Sequence, residues 1–217
     1  MKTVLLFGTG SPILVDVAET LHRAGWFIAA GIQNRPVQSY LPVDTQLLQP
    51  HQITGEMLSL CFLVPLFTPD NRRQAALEAD GLGLKLPAIL IDPTAIVPRR
   101  LALGPGTFIS AGCSVGADSE FDRFVFVNRS ASVGHHARFG AFVSIGPGVT
   151  VAGGVTIGPG AMVGAGATIL PGLCIGENAV IGAGSVVTRD VPSGFVVFGN
   201  PGRIIRPAGD RHERMSV

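Results

Sequence analysis

The chain has 217 residues, a formal net charge of +1 and only 6% aromatic residues. That length allows one large domain or two small ones, with a real buried core. A near-neutral balance with few rings to stack on bases argues against a nucleic-acid binder.

Glycine is unevenly spread: seven of the 29 lie in residues 1–100 and 22 lie beyond, which marks a change between two architectures. Cys61, Cys113 and Cys174 are widely spaced and form no CxxC pair. An odd, scattered set suits a reducing compartment, so a cytoplasmic location is expected. The opening MKTVLLFGTGSP reads as a strand and a turn rather than a signal peptide, because its apolar run stops at Gly8. The longest apolar run, Leu60–Phe67, is too short to cross a bilayer as a helix, so no membrane partner is expected.

In chain order, TVLLFG is a strand. SPILVDVAETLHRAG is an amphipathic helix with Ser11 at the N-cap and Pro12 at the first helical position. WFIAAGI is a second strand, and LSLCFLVPLF contains a third. TPDNRRQAALEADG is a helix capped by Thr68 with Pro69 following, and AILID (Ala88–Asp92) is a fourth strand. Strand–helix alternation predicts a small parallel α/β domain over residues 1–92, with the linker near Asp92-Pro93. Gly8-Thr9-Gly10-Ser11 follows the first strand and opens the first helix, a place where free N–H groups can hold a phosphate. The stretch GTGSPI lacks the third glycine of a dinucleotide fingerprint, and the second strand runs into Gln33-Asn34 rather than an acid. Phosphate or nucleotide-sugar binding and a purely structural tight turn both fit this loop.

From Val97 the pattern changes. Stepping by six gives sixteen consecutive aliphatic or phenylalanine positions, Val97 through Val187, with no insertion. The next residue is often glycine, as at Gly116, Gly134 and Gly146, and the residue two before each apolar step is small or branched. Period six fits neither a 3.6-residue helix nor one long strand. It fits a coil of short strands joined by tight turns, the hexapeptide β-helix. Three hexads close one triangular turn, so residues 18 apart stack at roughly 4.8 Å, the spacing of paired strands. The expected second domain spans 93–199, with a tail over 200–217.

Beyond the hexads, four stretches are specific: DPTAIV at the junction, VNRSASVGHH in mid-coil, IGAGSVVTRDVP at its end and GNPGRII after it. On these the chain resembles the sialic acid O-acetyltransferase family and its relatives, the acetyltransferases of nucleotide-linked 4-amino sugars. The resemblance implies a Rossmann-like N-terminal domain followed by a left-handed parallel β-helix (hexapeptide repeat). It implies acetyl transfer from acetyl-CoA to the amino group of a sugar used in surface glycans, with no metal. It makes His135 the general base, for which imidazole is apt because its free pKa of about 6.5 leaves it mostly neutral at pH 7. It gives Gly153, one turn above, the role of oxyanion donor through its N–H. Ser144, Gly153, Ala165 and Ala183 match the acetyl-CoA groove between subunits, which implies a homotrimer. Thr9, Gly10 and Ser11, with Gln33 and Asn34, match the sugar-nucleotide site, and Asn128 matches a residue close to the acceptor.

The chain departs from the family in three places. The carboxylate that usually follows the histidine is replaced by His136, and the acidic pair ending strand two by Gln33-Asn34. VPLFTPDNRR also lacks a glycine expected near the sugar. His136 would orient its neighbour or contact substrate, and Asp118, 18 residues earlier, should stack beneath it and stand in for the missing acid. His22, His51 and His212 read as surface or packing residues. O-acetylation of a sialic-acid-like sugar and a catalytically inactive binding protein are the other functions weighed. A zinc-dependent carbonic anhydrase of the same fold needs three converging histidines, and only His135 and His136 lie in the coil.

Overall fold

A computed structural model describes residues 2–210 as an α/β domain packed on a parallel β-helix. In the first domain β1 (Lys2–Phe7) and β2 (Trp26–Ile32) pair in parallel around α1 (Leu14–Arg23). With β3 (Leu47–Leu48) and β4 (Cys61–Leu63) the sheet order is β3-β2-β1-β4. The run VLLF of β1 is fully buried, as expected of a parallel strand covered on both faces. The expected Ser11 cap does not form. Residues 11–14 first make a tight turn, Leu14 N–H to the Ser11 carbonyl at 3.0 Å, so α1 begins two residues late with no side-chain cap. α2 (Pro69–Gly81) starts where expected, with Thr68 at the cap position.

AILID does not simply add a fourth strand to this sheet. Ala88 N–H donates to the Phe62 carbonyl of β4, but Leu90 N–H donates to Thr107 and Asp92 N–H to Ile109. β5 (Leu90–Ile91) therefore belongs to the coil, paired with Phe108–Ile109. Asp92 is fully buried at this junction. Its Oδ2 accepts from Thr20 Oγ1 and Arg23 Nε of α1, both at 2.9 Å, and its Oδ1 from Thr94 Oγ1 at 2.7 Å. Burial works to raise its pKa, but the hydrogen bonds from Arg23, Thr94 and Thr20 outweigh it and hold the carboxyl at about 2.

In the coil, two- and three-residue strands form three parallel sheets in which partners are 18 residues apart: Phe126 opposite Phe108 and Ser144, Ser132 opposite Ser114 and Thr150, Arg138 opposite Glu120 and Thr156. The sixfold apolar series is buried from Ile109 to Val187. The first two steps are not core: Val97 is 37% exposed and Leu103 half-buried, because they lie in the starting turn, with no coil beneath. Where a glycine follows an apolar step, contact demands it. At Gly134 a Cβ would collide with the backbone of Ala152 and Gly153 in the next turn. A second period is set by backbone conformation: from Gly106 to Gly184 every sixth residue has positive φ. Six of these are not glycine, namely Asp118, Phe124, Ser130, His136, Phe142 and Asn178.

One face of the coil, carrying Phe108 and Phe126 outward, is covered by the α/β domain and shares its core with Val4, Leu14 and Leu63. At the adjoining corner Phe124 and Phe142 stack at 5.2 Å and 4° and pack with Phe62, Ala75 and Ala76. Arg72 of α2 joins the two units. Fully buried, it donates to the carbonyls of Leu66, Phe67, Phe124, Phe142 and Val143 and to Ser144 Oγ, at 2.7–3.0 Å. Burial lowers its pKa to about 9, which leaves it charged at neutral pH.

Beyond Val187 the coil closes two residues short, with Val191 opposite Ile175. Phe195–Phe198 then pairs with Val180–Ile181, and Arg203–Pro207 returns antiparallel, so the segment expected as a tail supplies a strand. Residues 211–217 of that tail, including His212, lie outside the described residues. Among the described residues no helix is long and apolar enough to cross a membrane.

Candidate active site

His135 and His136 occupy the corner between strands Ser132–Val133 and Arg138–Phe139, both exposed. This corner is opposite the face that the α/β domain covers. Their rings are nearly perpendicular (86°), with Nδ1 of one 2.9 Å from Nδ1 of the other. His136 has φ 56° and Asp118, one turn below, has φ 61°, so both side chains leave the coil from the same backbone slot. Asp118 stacks beneath His136, its Oδ2 3.8 Å from His136 Nε2, and Arg100 holds that same oxygen at 2.8 Å.

Gly153 lies one turn above, and the His135 ring covers its α-carbon. A Cβ there would stand 2.8 Å from His135 Cε1 and 2.9 Å from Nε2, so only glycine lets the ring lie in this position. Gly154 N–H donates to the His135 carbonyl at 2.8 Å and fixes the two turns together.

The remaining expected site residues are scattered over a single chain. Ala165 and Ala183 are exposed, but on the next corner of the triangle. Ser144 is a correction. It is fully buried under the α/β domain, accepting from Arg72 and donating to the Phe67 carbonyl, so its side chain is closed to a ligand. Asn128, 7% exposed, caps its own corner, Oδ1 accepting from Arg129 N–H at 2.7 Å.

In the α/β domain a cleft of about 240 Å³ opens after β1, walled by Gly8, Gly10, Asn34, Arg35, Asn71 and Gln74 among others. Gly10 and Asn34 are there as expected. Thr9, Ser11 and Gln33 do not line it. Thr9 is 1% exposed, and Gln33 donates to the Val37 carbonyl and accepts from Gln49, bracing the loop. Gly10 faces Val37, whose side chain fills the space of a Cβ, so packing as well as any ligand requires glycine there. Asn34 and Arg35 both donate to Glu78 of α2, at 2.8 and 3.3 Å, which ties the end of strand two to α2.

Arg35, Asn71, Gln74, Arg72 and Arg100 were not singled out by sequence. Only Arg72 carried a signal: it sits on the apolar stripe of α2 with Pro69, Ala75, Ala76 and Ala79. Among the described residues no group of three or more His, Cys, Asp or Glu gathers as a metal site.

The bacterial transferase hexapeptide (six repeats) family matches residues 136–171 and 154–189. No curated protein sequence matches. Among solved structures, a single-histidine variant of perosamine N-acetyltransferase from Caulobacter crescentus, in complex with CoA and GDP-perosamine, superposes with a TM-score of 0.84 at 30% identity, covering 95% of this chain and 97% of that one. The acetyltransferase domain of PglB from Neisseria gonorrhoeae, in complex with acetyl coenzyme A, gives 0.83 at 28% identity over 94% and 99%. WeeI from Acinetobacter baumannii shares the fold, with a TM-score of 0.78 at 19% identity over 94% and 100%. With 30% identity along almost its full length, the chain belongs to the hexapeptide-repeat acetyltransferases of nucleotide-linked amino sugars.

Proposed function

We propose that the protein transfers an acetyl group from acetyl-CoA to the amino group of a nucleotide-linked amino sugar, with His135 as general base. The observation that carries this is the His135 ring lying over Gly153, its Nδ1 already engaged by His136, in a chain that matches sugar N-acetyltransferases from end to end. The sugar amine attacks the thioester carbonyl carbon while His135 Nε2 takes its proton. The carbonyl oxygen becomes an oxyanion beside the Gly153 N–H. Collapse expels the coenzyme A thiolate, which receives the proton from the imidazolium.

The nucleotide belongs in the cleft of Gly8, Gly10, Asn34 and Arg35, where the turn after β1 brings N–H groups to the start of α1. In one chain that cleft lies across the coil from His135. A closed threefold ring removes the separation. One uncovered face carries the small outward residues Ser114, Ser132, Thr150 and Thr168, with Ile96 and Val186 at its two ends, and its two edges are the His135–Gly153 corner and the Ala165–Ala183 corner. With that face toward the axis, the His135 edge of one copy adjoins the Ala165 edge of the next. Acetyl-CoA then lies between them, and the neighbour's α/β domain overhangs the base. This reading takes the coil as left-handed and the first domain as Rossmann-like, and places the trimer in the cytoplasm, which suits three free cysteines and both substrates.

The test is coenzyme A release by the purified protein against nucleotide-linked amino sugars, GDP-perosamine included, and free sialic acids, with light scattering on the same sample. Release with a nucleotide amino sugar by a trimer is the expected result. Release only with free sialic acid, or full activity as a monomer, would overturn it.

A further inference from the structure

A general base must keep its acting nitrogen free of a proton. The two histidine Nδ1 atoms, 2.9 Å apart, share one hydrogen: one ring donates and the other accepts. If His136 were the donor, His135 would accept at Nδ1 and carry its proton on Nε2, where it could take none from a substrate. If His135 donates, its Nε2 lone pair is free. The choice is made one ring away. Asp118 Oδ2 faces His136 Nε2 at 3.8 Å, and a carboxylate there favours the tautomer of His136 with its proton on Nε2. That tautomer leaves His136 Nδ1 as an acceptor, and His135 must donate to it.

We infer that Asp118, acting through His136, sets the tautomer of His135 that leaves Nε2 free. This rests on the reading of His135 as the base. Asp118 and His136 are positioning residues; the proton from the substrate goes to His135 Nε2 and none passes to Asp118. The backbone supports the arrangement. Asp118 and His136 occupy consecutive turns of the left-handed column, tied by Asp118 N–H to the Arg100 carbonyl (2.8 Å) and His136 N–H to the Ala117 carbonyl (3.0 Å). The next residues in that column are Gly154 and Gly172, so side chains stop at His136. Arg100 Nη2 holds Asp118 Oδ2 in place at 2.8 Å. The nearest other charges on the adjoining strands, Arg138 and Glu120, pair with each other at 3.6 Å.

The test uses Asp118→Gly, which removes the carboxylate without straining a residue at φ 61°, with Asp118→Asn as a second variant should the first fold poorly. Ring ¹⁵N shifts of His135 and His136 report the tautomers without any substrate. In the parent, Nδ1 of His135 should be protonated and Nε2 bare, and Asp118→Gly should mix the two forms. Activity is followed with acetyl-CoA and the amino sugar returned by the coenzyme A screen. Asp118→Gly should lower kcat on the order of tenfold, the scale of an orienting partner, with the KM for acetyl-CoA unchanged. His136→Glu lets His135 donate directly to a carboxylate, and in that background Asp118→Gly should leave kcat unchanged. An equal loss in both backgrounds would mean that Asp118 acts through structure alone and would overturn the inference. So would unchanged tautomers and kcat in Asp118→Gly while His135→Ala is inactive; acetyl transfer by His135 would then stand without the relay. Full activity in His135→Ala would instead overturn the parent reading.

Discussion

Two corners of the coil use one backbone slot for opposite ends. Phe124 and Phe142 hold it at φ 55° and 62°, Asp118 and His136 at φ 61° and 56°. A left-handed backbone costs an L-residue roughly 1–2 kcal/mol, and most hexads avoid that cost with glycine. At the first corner the stacked rings are buried under the α/β domain and packing offsets the strain. At the second the side chains stay open to solvent, His136 66% and Asp118 30% exposed, and no packing repays them. At this exposed corner the strained slot carries the side chains of the candidate site. The two corners differ in what covers them, and only the exposed one is free to meet a substrate.

The sharpest way to test this contrast is His135→Ala. Loss of a general base costs 10²–10⁴-fold in rate, so kcat/KM for the amino sugar should fall by roughly that factor. The melting temperature should not move, because the ring is exposed. Calorimetry and coenzyme A release on one preparation give both numbers; a large drop in melting temperature would place His135 in the fold instead.

At the covered corner the reverse should hold. Phe142→Gly relieves the backbone but empties a buried ring position between Phe124 and α2. Large core truncations of phenylalanine cost about 3–5 kcal/mol. Relief of the strain leaves a net loss of about 3 kcal/mol, read by urea unfolding, with kcat per folded molecule unchanged. A stability change under about 1 kcal/mol would mean that the aromatic stack does not hold the two domains together.

The contrast also shows which parts of the molecule sequence reveals. The coil was legible because one constraint recurs every six residues, and burial from Ile109 to Val187 follows it. The stacking of Asp118 under His136 and of Gly153 over His135 followed from the same count of 18. The left-handed column was not legible, because Phe124 and Phe142 break the glycine pattern that would mark it, and their reason lies in another domain. Ser144 misled for the same cause: matched to a ligand groove by motif, it is bonded to Arg72, 72 residues away. Aperiodic contacts across a domain boundary leave no period to read. AILID shows this too, as its residues satisfy a strand in either unit and only the hydrogen bonds of Leu90 and Asp92 assign it to the coil.

That boundary gives a smaller effect, set by pH. Asp92 ties α1 to the start of the coil with its carboxyl held at about 2, against 3.8 when unperturbed. The folded state therefore binds this proton more weakly than the unfolded chain, and stability rises with pH across the interval. The contribution, about 2 kcal/mol, is complete above pH 4 and is lost as pH falls toward 2. Asp92→Asn should remove this part of the acid dependence in urea titrations at pH 7, 4 and 2.5. An unchanged slope would mean that the Arg23 and Thr20 contacts do not depress the carboxyl.

The smallest expected change is the one that separates the two corners by sign. Glycine at the left-handed position removes the Cβ clash but adds chain entropy to the unfolded state. At Phe142 the lost packing dominates and the protein is weakened. At His136, exposed and unpacked, only the backbone terms remain, and His136→Gly should stabilise the fold by about 0.5–1 kcal/mol. The same change removes the acceptor for His135 Nδ1–H, so kcat should fall on the order of tenfold while stability rises. Asn178→Gly is the control: it occupies the same slot at φ 55°, away from the histidines, and should give the gain in stability with no loss of rate. Chemical unfolding and coenzyme A release, run on His136→Gly and Asn178→Gly together, decide the matter. If His136→Gly destabilises the protein, the imidazole contributes to folding and the strain at that corner was never kept for catalysis.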